Sequence, residues 1–240
     1  MIRRRLTFAV LAAVAAASFT PAFAADEFTT TTPVARPDDW WQARHQKIND
    51  RANQGDVDLI FIGDSITQGW ESDAAQGVWQ KFYGPRKAMN AGIGGDRTQH
   101  VLWRLDNGNI DGIQPKLAVV MIGTNNSGSD SPDDIAAGIT AIVQKLRTKL
   151  PSTKVLLLGI FPRGPDANDA KRKVNIATNE IIKSLDDGKS VVYLDISESF
   201  LSDDGKLERE IMPDLLHLSK RGYEIWAEAI EPQVAKLLGE

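Results

Sequence analysis

Apolar and polar residues form two kinds of pattern along this chain. Short runs that are almost wholly apolar predict strands buried on both faces, and they lie at 57–62, 88–93, 117–122, 155–161 and 191–196. Between most of these runs, apolar residues recur every three or four positions, which is the period of an amphipathic helix. Strands separated by crossover helices run parallel. The pattern therefore predicts an α/β fold, a three-layer αβα sandwich with about five parallel strands.

Helix signals are clearest between residues 132 and 150. Ser131 is a typical N-cap residue, and Pro132 suits the first helical position. The apolar stripe of this helix consists of Ile135, Ile139, Ile142, Val143, Leu146 and Leu150. Another helix is expected directly after residues 38–39. The last helix should break or kink at Pro232, because proline lacks the backbone donor and clashes with the preceding turn.

Residues 1–24 have the pattern of a secretory signal peptide. Arginines at 3–5 precede an apolar run from Leu6 to about Phe19, and Ala22-Phe23-Ala24 supplies the small residues of a cleavage site. This run is shorter than the roughly 20 residues that span a bilayer, so no membrane segment is expected in the mature chain. We predict export to the periplasm or the extracellular space, with cleavage near Ala24. A disordered leader over 25–37 and a single domain over 38–240 are expected to follow.

Charge and cysteine content narrow the class of protein. The formal net charge is −4, and it becomes −7 without residues 1–24, which contain three arginines and no acid. An acidic chain of this kind is poorly suited to nucleic acid, whose binding depends on basic residues that neutralise phosphates. The chain contains no cysteine, so its stability must come from the core without disulfides.

Three of the predicted strands end in small or polar residues that could form a site. The first run is followed by Gly63-Asp64-Ser65, the second by Gly94-Gly95 and the third by Gly123-Thr124-Asn125. Ligands bind at the carboxyl edge of such a sheet, so Ser65 is a candidate nucleophile. A backbone N–H of the Gly94-Gly95 segment and the Asn125 amide are candidate donors to an oxyanion. The alternative for each segment is an ordinary turn, and for Ser65 a turn that caps a helix.

A serine nucleophile needs a base, and the chain has three histidines. His45 lies before the sheet and is expected to pack or to lie at the surface. His100 follows Asp96 by four residues, a spacing that more often gives a surface contact. His217 follows Asp214 by three residues in a short irregular segment, where the carboxylate could orient the imidazole toward Ser65. The alternative is that Asp214 starts a turn and His217 caps the last helix.

Several other catalytic motifs are absent from the sequence. The dinucleotide-binding fingerprint fails because Arg97 stands where the third glycine is required. There is no phosphate-binding P-loop, and Thr67 replaces the second glycine of the α/β-hydrolase elbow. His-Glu-x-x-His and cysteine pairs are also missing, so we predict neither a metal nor another cofactor.

In sequence order, these segments resemble the conserved blocks of the SGNH, or GDSL-like, hydrolases. Gly63-Asp64-Ser65 resembles the block with the nucleophile, Gly95 and Asn125 the two blocks of the oxyanion hole, and Asp214-x-x-His217 the block with the base. The likeness covers nearly all of residues 38–238 and extends to the brain-type platelet-activating-factor acetylhydrolases. Ile66 replaces the leucine of the GDSL signature, which is a conservative change.

This resemblance implies a flavodoxin-like sandwich and serine ester hydrolysis without a metal. It implies Ser65, Asp214 and His217 as catalytic residues, with the Ser65 and Gly95 N–H groups and the Asn125 amide as oxyanion donors. We expect a short-chain, acetyl ester as substrate, carried by a small molecule or an oligosaccharide. The alternatives are a lysophospholipase or thioesterase, a lipid esterase like the acetylhydrolases, and a silent binding module. The loops at 70–78, 126–131 and 163–170 are expected to shape the pocket. Candidates for stacking on sugar are Trp40, Trp41, Trp70 and Trp79, although apolar packing is expected for most of them.

Overall fold

A parallel β-sheet of five strands organises the chain in the computed structural model, which describes residues 29–240. The strands are β1 (Leu59–Gly63), β2 (Ala88–Gly92), β3 (Leu117–Met121), β4 (Lys154–Leu158) and β5 (Val191–Leu194). Their order across the sheet is β2-β1-β3-β4-β5, and all neighbours are parallel. This order is flavodoxin-like, so the expected sheet of about five parallel strands is confirmed, and the carboxyl end of β1 lies between those of β2 and β3.

Helices cover both faces of the sheet. They are α1 (Asp39–Asn53), α2 (Ser65–Gln68), α3 (Gln76–Phe82), α4 (Thr98–Asp106), α5 (Pro132–Lys149), α6 (Ala170–Ile182) and α7 (Lys220–Leu238). The core on one face joins buried side chains of α1, α4, α5 and α6 to those of the strands. The core on the other face joins α2, α3 and α7 to the alternate strand residues. Because successive strand side chains point to opposite faces, one sheet supports both cores, and the three-layer prediction is confirmed.

Helix α5 confirms the sequence signals at both its start and its buried face. The Ser131 hydroxyl accepts the Asp134 N–H at 3.1 Å, and the Asp134 carboxylate accepts the Ser131 N–H at 3.1 Å. This reciprocal cap satisfies two backbone donors that a helix start leaves unpaired. The apolar stripe is buried against the sheet, so the residues that predicted the helix also anchor it.

The predicted break at Pro232 does not occur, because α7 continues through it from Lys220 to Leu238. Pro232 is exposed, and so is Glu228, whose carbonyl loses its helical partner because proline has no N–H. On the opposite face Ile230, Val234 and Leu237 are buried in the core. Packing of this face holds the helix together on both sides of the proline.

The segment before α1 also departs from the expected disordered leader, at least over its described part, residues 29–37. Thr30 is fully buried, and its hydroxyl donates to the Asp134 carbonyl at 2.6 Å. The Thr98 hydroxyl donates to the Thr30 carbonyl at 2.9 Å, and the Val34 N–H donates to the Gln99 carbonyl at 3.2 Å. Threonine and proline content predicts disorder, but these distant hydrogen bonds fix the segment on α4 and α5.

The predicted signal peptide, residues 1–24, lies outside the described residues. Within residues 29–240, none of the helices combines the length and the apolar character needed to cross a membrane.

Candidate active site

Ser65 lies at the sharp exit of β1, where the strand ends at Gly63 and α2 begins. A Cβ on Gly63 would approach the Met121 carbonyl oxygen to 2.4 Å, so the close packing of β1 on β3 requires glycine here. Asp64 caps the short helix, because its Oδ1 accepts the Ile66 N–H at 3.0 Å. The helix-cap interpretation is therefore correct for Asp64, and it leaves Ser65 as the first helical residue at the carboxyl edge of the sheet.

The structure brings Ser65, His217 and Asp214 into one hydrogen-bonded line. The Ser65 Oγ lies 2.9 Å from the His217 Nε2, and the His217 Nδ1 lies 2.6 Å from the Asp214 Oδ2. The Ser219 hydroxyl caps α7 by accepting the Gly222 N–H, so His217 does not have the capping role that was its alternative. The imidazole is thus held between a hydroxyl and a carboxylate, which is the geometry of a general base.

Asp214 is fixed by its own turn. Its Oδ1 accepts the N–H groups of Leu216 at 3.0 Å and His217 at 2.7 Å. Burial raises the pKa of Asp214, but the hydrogen bonds from His217 and Leu216 outweigh burial and hold it below its usual value. The group is therefore ionised at neutral pH. It can accept the Nδ1–H and leave Nε2 free to take a proton from Ser65.

Three groups at the ends of β1, β2 and β3 are the candidate donors for a negatively charged oxygen. Gly95 adopts φ +72°, a left-handed conformation that suits glycine. Within the described part of the chain, neither the Ser65 nor the Gly95 N–H has an acceptor. The Asn125 Nδ2 donates to the Asp96 carbonyl at 2.9 Å, and its amide group retains a second hydrogen.

The other two histidines have structural partners. The His100 Nδ1 accepts the Arg97 N–H at 3.0 Å, and burial and nearby arginines lower its pKa to about 4. Asp96 lies 3.8 Å from His100, and its carboxylate instead accepts from Trp41 and Arg104, so the expected surface pair does not form.

His45 packs in the core on one face of the sheet. Its ring stacks on Trp41 with centroids 5.5 Å apart and contacts Asn49 and Asn109. Burial is the main cause of its lowered pKa, with a smaller contribution from the nearby Arg104 charge.

Two residues that sequence reasoning did not identify hold the loop after β2. The Gln68 Oε1 accepts the Gly94 N–H at 2.7 Å, and the Arg36 Nη1 donates to the Gly94 carbonyl at 2.9 Å. Gln68 lies three residues after Ser65, so helical spacing is a usable signal for it. Arg36 is far from the loop in sequence, and its partner is a backbone carbonyl, so no sequence pattern marks it.

The tryptophans mostly form core contacts. Trp41 and Trp70 are buried, and Trp79 packs edge-on against Phe61. Trp40 is 52% exposed, and the Arg36 guanidinium lies 4.9 Å from the centre of its ring. Trp40 is therefore the tryptophan among these four whose face is most available to a ligand.

A cavity lies next to Asp214, and its wall includes neither Ser65 nor His217. It measures ≈ 380 Å³, includes Asp214 in its wall and has charged residues around it, namely Arg163, Asp169 and Lys171, together with Leu215 and Leu216. In residues 29–240 no three acidic or imidazole side chains converge where they could hold a metal ion.

The chain is similar in sequence to known proteins over most of its length. A model of the GDSL-like Lipase/Acylhydrolase family matches residues 61–225. The platelet-activating factor acetylhydrolase IB subunit alpha2 of Rattus norvegicus is 37% identical over 204 residues, which cover 85% of this chain and 87% of that protein.

Two solved structures share the fold. A GDSL-like lipase from Bacteroides thetaiotaomicron is 18% identical, with a TM-score of 0.63 over 81% of this chain and 97% of that chain. A carbohydrate acetylesterase family member from Sinorhizobium meliloti is 18% identical, with a TM-score of 0.60 over 76% of this chain and 99% of that chain.

Proposed function

The chain belongs to the GDSL-like lipase/acylhydrolase family, and from this premise we propose a serine esterase that removes short acyl groups, acetyl above all, from hydroxylated substrates. The observation that carries the proposal is the line from the Ser65 Oγ through the His217 ring to Asp214, with distances of 2.9 Å and 2.6 Å.

In the proposed reaction, the Ser65 Oγ attacks the ester carbonyl while the His217 Nε2 takes its proton. Asp214 accepts the Nδ1–H, which fixes the tautomer and stabilises the imidazolium. His217 then gives the proton to the departing alcohol as the carbon–oxygen bond breaks, leaving an acyl-enzyme on Ser65. Water attacks this ester with His217 again as base, and the acid and the free serine are released.

The negative oxygen of each tetrahedral intermediate is held by three donors in this proposal. They are the N–H groups of Ser65 and Gly95 and the side-chain amide of Asn125. The unpaired state of both N–H groups in residues 29–240 supports these roles. Removal of one such donor elsewhere costs about 3 to 4 kcal/mol of transition-state stabilisation.

The preference for a short acyl group and a polar alcohol rests on two observations. The 37%-identical relative is named an acetylhydrolase, which supports an acetyl group. The cavity that Asp214 borders has Arg163, Asp169 and Lys171 in its wall; if the alcohol part of the substrate extends past Asp214 into it, these groups suit a hydroxylated alcohol better than a long hydrocarbon chain. A carbohydrate O-acetyl ester fits both observations.

A lipid acetyl ester is the second candidate, because the relative is named a platelet-activating factor acetylhydrolase and the matching family model is named for lipases as well as acylhydrolases. Hydrolysis of p-nitrophenyl acetate, decanoate and palmitate tests the acyl group. We expect kcat/KM to be highest for the acetate, whereas a maximum at decanoate or palmitate would replace the proposal with a lysophospholipase or thioesterase. Acetate release from acetylated xylan, chitin oligomers, acetylated sialic acid and acetylated lysolipid then identifies the alcohol. Absence of hydrolysis across both panels would leave a binding module.

Export is part of the proposal and rests on the pattern in residues 1–24. Expression of the full chain in a bacterium, followed by intact mass of the protein from each compartment, tests it. Protein in the periplasm or medium that begins at Ala25 supports export. Protein that keeps Met1 to Ala24 and stays with the cytoplasm contradicts it.

A further inference from the structure

We infer that Arg36 is a positioning residue of the oxyanion hole, acting through the peptide bond between Gly94 and Gly95. The inference rests on the proposed function, because the Gly95 N–H is one of its proposed donors. Arg36 lies outside the family segments that carry the catalytic residues, in the stretch that precedes α1.

The peptide unit between Gly94 and Gly95 has a hydrogen-bond partner at its carbonyl, and among residues 29–240 it has none at its N–H. The Arg36 Nη1 donates to the Gly94 carbonyl at 2.9 Å. The Gly95 N–H belongs to the same peptide unit, and in a trans peptide the C=O and N–H point in opposite directions. Arg36 therefore fixes the carbonyl from behind, and the N–H on the other side has no acceptor among residues 29–240. That N–H is oriented before any substrate arrives.

The positive charge of Arg36 strengthens its hydrogen bond to the Gly94 carbonyl. A hydrogen bond from a guanidinium is charge-assisted, and it draws electron density toward the carbonyl oxygen. Hydrogen bonds in series polarise one another, so the N–H of the same amide becomes a better donor to a negative oxygen. The Arg36 side chain is only 21% exposed, so water screens its charge incompletely. The gain is largest when the substrate oxygen is negative, that is, in the transition state.

Arg36 is itself held in place by two further side-chain contacts and by the anchored backbone before it. Its Nη2 pairs with the Asp38 carboxylate at 3.1 Å, and its guanidinium lies over the Trp40 ring at 4.9 Å. The backbone before it is fixed through Val34 on Gln99 and through the buried Thr30. On the other side of the loop, Gln68 accepts the Gly94 N–H at 2.7 Å, so the peptide units on both sides of Gly94 are restrained.

The test compares Arg36→Met, Arg36→Lys and the matched control Arg97→Met in the full chain. The control removes a neighbouring arginine whose Nη1 donates to the Ser129 hydroxyl and not to the loop. For each protein, active sites are titrated with a fluorophosphonate, and kcat and KM are measured on p-nitrophenyl acetate. The Ki of benzeneboronic acid, which forms a tetrahedral anionic adduct with an active serine, is measured alongside.

We expect Arg36→Met to lower kcat per active site by about 10-fold, less than the roughly 100-fold loss when a donor is removed outright. KM should change by less than about 2-fold and the boronate Ki should rise in parallel with the loss of kcat, since only the anionic state uses this donor. Arg36→Lys should recover part of the loss, and Arg97→Met should match the wild type.

Three outcomes overturn the inference in distinguishable ways. An inactive wild type removes the proposed function and this inference with it. An active wild type with unchanged kcat and Ki in Arg36→Met removes the role of Arg36 alone. A fall in the titrated number of active sites, with normal kcat at those that remain, would show that Arg36 only anchors the N-terminal segment.

Discussion

Asp214 is the residue on which the state of the proposed base depends. Its Oδ2 faces the His217 Nδ1 at 2.6 Å, while its Oδ1 accepts two backbone N–H groups. The two oxygens have separate tasks, one in orienting the imidazole and one in shaping the turn. An amide can perform the second task but not the first, which allows the two to be separated by one substitution.

We predict that Asp214→Asn folds normally and loses most of its activity. The amide oxygen can keep the turn, but the amide nitrogen would face Nδ1 and force the proton onto Nε2, the atom that must accept from Ser65. A comparable change in a buried triad costs about 10,000-fold in kcat, and we expect a loss of at least about 100-fold here, where the carboxylate is more exposed. Steady-state kinetics and thermal unfolding measure the two effects. A variant with more than a tenth of wild-type kcat would contradict the assignment.

Asp64 gives a pH-dependent prediction at the neighbouring position. Burial raises the pKa of Asp64 to about 7, and its Oδ2 has no partner in the described residues. The folded state then binds this proton more tightly than the unfolded state does. Its contribution to stability is full below the usual carboxyl range, near pH 4, and is lost as the pH rises through about 7.

We therefore expect Asp64→Asn, which does not titrate, to gain stability relative to the wild type as the pH rises from 5 to 8. The unfolding free energy of Asp64→Asn minus that of the wild type should rise by roughly 2 to 3 kcal/mol between these pH values. The reason is that the folded and unfolded wild type bind unequal numbers of protons over about two pH units. Urea unfolding at both pH values measures it, with the exposed Asp203→Asn as control. A difference that does not vary with pH would show that Asp64 is ionised throughout this range.

At the scale of elements, the N-terminal segment shows that composition alone is a weak guide to order. Residues 29–36 are rich in threonine and include a proline, yet Thr30 is buried between α4 and α5. The segment also carries Arg36 to the loop after β2. The segment that precedes α1 therefore contacts the candidate active site through Arg36.

Thr30→Val tests whether this segment belongs to the fold. Valine has nearly the same shape as threonine but cannot donate to the Asp134 carbonyl, which the Thr30 hydroxyl meets at 2.6 Å. We expect a loss of about 1 kcal/mol in the free energy of unfolding, the typical value of one buried hydrogen bond. Chemical denaturation measures it, and Thr32→Val at an exposed position should have no effect. Equal stability of Thr30→Val and the wild type would mean that the segment contributes little.

Strand positions could be predicted from the apolar runs, but strand ends could not. The run at 155–161 is apolar throughout, whereas β4 ends at Leu158. Ile160 and Phe161 beyond it are still buried, because the chain enters a loop that packs under α6 and α7. Hydrophobicity reports burial, and burial does not distinguish a strand from the loop that follows it.

For the whole molecule, the sheet order explains why distant residues meet. Ser65 follows β1, Gly95 follows β2 and Asn125 follows β3, and these three strands are neighbours in the sheet. Their positions could be predicted from strand runs and family motifs together. Both Gln68 and Arg36 bind the backbone of Gly94, which leaves no mark in the sequence, so Gln68 has a signal only in its helical spacing from Ser65 and Arg36 has none.

The central claim is that Ser65 is the nucleophile and His217 its base. Labelling with a fluorophosphonate, followed by intact mass over time, tests it most directly. We predict one adduct per wild-type chain, none on Ser65→Ala, labelling slowed by several orders of magnitude in His217→Ala, and a wild-type rate in His100→Ala. Equal labelling of wild type and Ser65→Ala would contradict the nucleophile. A fast rate in His217→Ala with a slow one in His100→Ala would contradict the base.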